Sequence, residues 1–73
     1  MPAHIVMDHT GDSRYMFDRN DAAALARAEE RFKDLTGKGF TAAVREVDGQ
    51  SRLIKVFDPT AEETLFFPRL VGG

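Results

Sequence analysis

Chemistry in this chain points first to its last ten residues, Thr64-Leu65-Phe66-Phe67-Pro68-Arg69-Leu70-Val71-Gly72-Gly73. An apolar run passes through a proline into a short segment that ends on two bare glycines. Glycine has no side chain, so another protein can approach its backbone as closely as covalent geometry allows. A narrow enzyme channel that must reach the carboxylate of Gly73 would admit such a tail and no bulkier one. The functional reading is therefore a terminus whose own carboxylate is the reactive group. The competing reading is a loose end that simply frays. The rest of the chain has to choose between them.

Other reactive side chains are sparse. His4, Asp8 and His9 lie close together, but on an extended strand His4 and Asp8 share one face while His9 points to the other. Two ligands leave a zinc site two short, so no metal is expected. Asp8 and Asp12 flank a turn, and Glu62 and Glu63 suit the first turn of a short helix. No Ser, His and Asp set has supporting context, and no glycine-rich loop has phosphate-binding form. The chain has no cysteine, hence no thiolate nucleophile and no disulfide framework. The expectation is a protein that is not an enzyme and binds no cofactor of its own. Lys33, Lys38 and Lys55 read as exposed solubilising residues.

Length and charge narrow the class. With 73 residues there is room for one domain with a thin core, because a chain this short buries only about 60% of its unfolded surface. Ten Lys or Arg stand against twelve Asp or Glu, a net charge of −2. The basic residues are scattered, with none of the contiguous patch that nucleic-acid binding needs. No stretch approaches the roughly 18 apolar residues of a membrane span. The start, Met1-Pro2-Ala3-His4, lacks the basic and apolar regions of a secretory signal. A cytoplasmic monomer is expected.

The elements that would position the tail follow from periodicity. His4 to His9 reads as a first strand, Thr10-Gly11-Asp12 as its turn, and Ser13 to Phe17 as the return strand of a hairpin. Asp18 is expected to begin a helix, with Asp21 adding negative charge near its start. Leu25, Ala28, Phe32 and Leu35 then fall on a single apolar stripe. Glu29 and Lys33 are spaced for an ion pair, and Gly37 closes the helix. Phe40 to Val47 alternates, with Phe40, Ala42 and Val44 on one face. Asp48-Gly49 signals a second hairpin, returning over Arg52 to Phe57. Asp58-Pro59 breaks that strand, Thr60 to Glu63 has capping-box spacing for one helical turn, and Thr64 to Phe67 forms a last strand that Pro68 ends. One helix with one apolar stripe must pack on one face of the sheet. The fold class is α+β: a β-grasp with a mixed four- to five-stranded sheet. It forms a single domain over residues 1–73, a globular body over 1–67 and a flexible diglycine tail over 68–73.

In that context the tail resembles two families. Phe66-Phe67-Pro68-Arg69-Leu70-Val71-Gly72-Gly73 looks like the end of the small, sulfur-carrying subunit of molybdopterin synthase, typically Phe-Phe-Pro-Pro, two small or apolar residues, Gly-Gly. Arg69-Leu70-Val71-Gly72-Gly73 is equally similar to the ubiquitin ending Arg-Leu-Arg-Gly-Gly. Both families are β-grasp proteins of this size, as is the thiamine-pathway sulfur carrier. Arg69 replaces the second proline of the first family, and Val71 replaces the arginine of the second. A bacterial ubiquitin-like protein with its own partners fits these departures.

The resemblance implies that an activating enzyme, using ATP, adenylates the carboxylate of Gly73, with Gly72 letting the tail thread that enzyme's channel. Pro68, Arg69 and Leu70 would be recognition residues. A conjugating enzyme or a sulfur-transfer acceptor would follow, making the protein a modifier or a sulfur carrier. On the sheet face away from the helix, Met16, Ile54 and Val56 are expected to form an apolar partner-binding patch. A one-residue shift of register would turn such residues inward instead. The alternative function is a non-covalent protein-binding module, a small β-grasp adaptor, phage- or operon-associated, with an inert tail.

Overall fold

The computed structural model describes residues 1–68. Strands β1 (Ala3–Asp8) and β2 (Gly11–Met16) form a hairpin, followed by helix α1 (Ala22–Gly37). Strands β3 (Phe40–Arg45) and β4 (Ser51–Ile54) form a second hairpin, and β5 (Glu63–Pro68) comes last. The five strands make one mixed sheet in the order β2-β1-β5-β3-β4. β5 is inserted at its centre, parallel to β1 and antiparallel to β3. The α+β architecture expected from periodicity is what the chain forms. Among the described residues no helix is long and apolar enough to cross a membrane.

Local chemistry moves several boundaries. The first turn is His9-Thr10, because Gly11 at φ 121° already pairs opposite Asp8. The Asp8 carboxylate accepts the Thr10 amide at 2.8 Å and so closes the turn. Asp18 does not cap the helix. Its carboxylate accepts the Asn20 amide at 2.9 Å, making a separate turn. Asp21 is the N-cap, accepting from the amides of Ala23 and Ala24 at 3.0 and 3.2 Å. Asp21→Ala is expected to cost about 1 kcal/mol in urea unfolding, while Asp18→Ala costs less than half of that.

At the far end Gly37 is still helical, Lys38 is the C-cap, and the left-handed residue is Gly39 at φ 101°. The i,i+4 ion pair on α1 is Asp34–Lys38 at 3.1 Å; among the described residues Glu29 and Lys33 form none. β3 stops at Arg45, leaving Val47 fully exposed in the hairpin loop, where Gly49 takes φ 87°. β4 is only four residues long. The chain bends after Ile54, and Phe57 turns toward the helix side of the sheet, where it packs against Phe17 and Phe32. No helical turn forms at Thr60 to Glu63. Asp58 accepts the Thr60 amide at 2.9 Å, and Glu63 already belongs to β5. The local Asx turn therefore displaces the capping box.

The core lies between α1 and the central strands. Ala24, Ala28 and Phe32 are the buried helix residues, with Leu25 and Leu35 half-buried beside them. Against them sit His4, Phe17, Ala42 and Phe66, with Phe57 closing the side. Strand alternation and register place a second set on the other face: Ile5, Leu65, Ala43 and Leu53 form one row across four strands.

Candidate functional site

The residues expected to do chemistry, Gly72 and Gly73, lie outside the described residues, as do the recognition candidates Arg69 and Leu70. Pro68 is the last described position. It is exposed and paired opposite Phe40 at the end of β5. β5 is held on both sides, by β1 through Ala3 to Val6 and by β3 through Phe40 to Val44. Its Thr64 and Phe66 are buried against the helix layer. The chain thus reaches Arg69 from the best-anchored strand of the sheet.

The three patch candidates, Met16, Ile54 and Val56, separate. Ile54 lies opposite Ala42 and packs against the Phe32, Ala42 and Phe66 cluster, so it faces the helix. Val56 is exposed in the bend that follows β4. On the open face the residue from this hairpin is Leu53, 68% exposed and opposite Ala43. Met16 lies on that face too, 52% exposed at the end of β2. Alternation alone does not place Leu53, because Leu53, Lys55 and Phe57 share a parity and only the bend after Ile54 takes Phe57 inward. Ile54→Asp is expected to unfold the domain, since it places an unpaired charge in the core. Leu53→Asp should shift stability by no more than about 0.5 kcal/mol. Circular dichroism with urea titration distinguishes the two.

One end of the sheet carries a charged groove of about 540 Å³, lined among others by Arg14, Val44, Arg45, Arg52, Glu46 and Glu63. Its charges are mutually engaged. Glu63 lies 3.8 Å from Arg14 and 3.7 Å from Arg45, and Arg52 donates to Glu46 at 2.6 Å while standing 3.8 Å from Asp58. The bond to Glu46 raises the Arg52 pKa further. Asp58 is held below its ordinary value, first by the Thr60 hydroxyl and amide and then by Arg52. Glu63 starts β5 and Pro68 ends it, so this groove lies at the opposite end of the strand from the tail. Sequence spacing gave no sign of it, because its arginines come from three different strands.

His4, Asp8 and His9 do not converge. His4 is 1% exposed in the core. Asp8 is engaged with Thr10, which lowers its pKa, and His9 is exposed in the hairpin turn. Among the described residues no group of three or more His, Asp or Glu is placed to hold a metal ion.

Comparison with known proteins matches no family model, no curated protein and no solved structure.

Proposed function

We propose that the protein is a ubiquitin-like β-grasp protein whose Gly73 carboxylate, once it is a free chain end, is activated by a separate adenylating enzyme. The observation that carries this reading is the central β5, parallel to β1 and leading directly into Pro68-Arg69-Leu70-Val71-Gly72-Gly73. A strand pinned between two neighbours gives a partner a fixed handle, beyond which a narrow diglycine can enter an enzyme channel. In the first step a Gly73 carboxylate oxygen attacks the α-phosphorus of ATP, and pyrophosphate leaves. In the second, a thiolate, sulfide or amine attacks the acyl carbon, and AMP leaves. The protein supplies the acyl group; the partner supplies the catalysis. Transfer to an amine makes it a modifier, and transfer to sulfide makes it a sulfur carrier. In a bacterial host both steps take place in the cytoplasm.

ATP–pyrophosphate exchange with a purified adenylating enzyme from the same genome tests this. Exchange that depends on the protein and is saturable supports the reading; its absence with every such enzyme removes it.

A second reading is favoured by one observation. On the open face Leu53 stands largely exposed at the end of the row Ile5, Leu65, Ala43 and Leu53, in which Ile5 and Ala43 are buried and Leu65 is half-buried. A non-covalent adaptor would use that face and leave the tail inert. Leu53→Asp separates the two readings, since it should spare pyrophosphate exchange and abolish adaptor binding.

A further inference from the structure

Among the described residues, His4 is the one buried ionisable side chain. It lies on β1 between Tyr15 of β2 and Thr64 of β5 in the sheet register. Three aromatic rings surround it at near-perpendicular angles: Phe17 at 5.0 Å, Phe66 at 5.0 Å and Phe57 at 5.8 Å between centroids. Neither Nδ1 nor Nε2 has a protein hydrogen-bond partner among the described residues. No carboxylate there offsets a positive charge on the ring. The elements packed around it bring little else that titrates. α1 contributes Arg31, whose guanidinium carbon lies 4.4 Å from the Tyr15 ring centroid, and β2 contributes Tyr15 itself. β5 and the segment after β4 contribute Thr64, Phe66 and Phe57. Arg31 adds a second positive charge against protonation of the ring.

A neutral imidazole can stay in such a cluster, at the cost of two unmet polar atoms. An imidazolium there would be a buried, unpaired charge, which proteins avoid by staying neutral or by opening. We propose that His4 makes closure of α1 over the central strands proton-dependent, so that mild acid opens the domain by capturing the imidazole once the aromatic cluster parts. The energetics agree in sign. Burial, and secondarily Arg31, lowers the His4 pKa from 6.5 to about 4. Between those two values the unfolded chain binds a proton that the folded chain does not, so stability rises with pH through this window. Above 6.5 the effect is absent; below about 4 it is complete. Asp8 and Asp58, held below their ordinary value of 3.8, add their own loss of stability as pH falls toward and below that value, at the lower edge of the window.

The experiment is urea unfolding of the full chain at pH 7, 6 and 5, with His4→Leu and His9→Gln as comparisons. For the wild type the unfolding constant should rise by up to about tenfold for each pH unit lost below 6.5. His4→Leu should hold its unfolding constant within about twofold across the same range. His9→Gln removes only the exposed imidazole and should keep the wild-type slope. If His4→Leu fails to fold, the wild type still decides: its imidazole resonances, followed by NMR, should show His4 predominantly neutral in the folded state at pH 5. A flat wild-type profile, an unchanged slope in a folded His4→Leu, or a folded-state His4 that titrates near 6.5 would each overturn the proposal.

Discussion

Phe66→Ala is expected to leave the domain largely unfolded at 25 °C. Phe66 has no exposed surface, and it sits on the central strand opposite Val6 of β1 and Ala42 of β3. Its ring meets Phe32 of α1 at 5.7 Å and His4 at 5.0 Å, so it joins the helix to both halves of the sheet. Truncating a buried phenylalanine costs about 3–5 kcal/mol, part lost transfer energy and part the cavity left behind. A domain of this size rarely has more than about 3–5 kcal/mol in total. The substitution therefore removes most of the available stability. Phe67→Ala, one residue along and on the other, half-buried face, should cost less than half as much. Far-ultraviolet circular dichroism with thermal melts reads both. A Phe66→Ala protein melting within a few degrees of wild type would mean that the aromatic cluster does not hold the helix to the sheet.

The second large effect concerns function rather than stability. Deleting Gly72 and Gly73 should abolish adenylation, while the melting temperature stays that of the full chain. Neither glycine has a side chain to pack, and among the described residues the buried core runs no further along β5 than Phe66. The deletion leaves Val71 at the end, where a branched side chain would have to enter a channel shaped for glycine. Pyrophosphate exchange should fall by at least about a hundredfold, a loss of roughly 2.7 kcal/mol in transition-state stabilisation. Exchange that survives the deletion would show that the tail is inert and would favour the adaptor.

Much of the fold could be read because local and long-range signals agreed. The stripe through Ala28 and Phe32, and the alternation of Phe40, Ala42 and Val44, each point to one buried face, and Phe32 and Ala42 do meet in the core. Two hairpins and one helix of these lengths leave few ways to share a sheet. Structure departs from sequence expectation where two neighbouring residues can serve the same role. Asp18 and Asp21 can both cap, and only the hydrogen bonds show that Asp18 closes its own turn. Thr60 to Glu63 has capping-box spacing, but Asp58 captures the Thr60 amide and β5 needs Glu63. Leu53 and Ile54 are equally apolar, so facing was decided by Ala42 across the ladder rather than by the pair itself. His4 reads as a candidate ligand because sequence shows a side chain's chemistry and not its burial; the surrounding rings come from Phe17 just after β2, Phe66 of β5 and Phe57 in the segment after β4. The charged groove likewise gathers residues far apart in the chain.

The most direct test of the central claim is the intact mass of the full chain after incubation with ATP and an adenylating enzyme from the same genome, with and without sulfide or a target amine. The expected result is a mass gain of the full chain, as adenylate, thiocarboxylate or conjugate, and none of a chain lacking Gly72 and Gly73. An unchanged mass under all these conditions, with the same enzyme active on another substrate, would contradict the assignment of Gly73 as the reactive end.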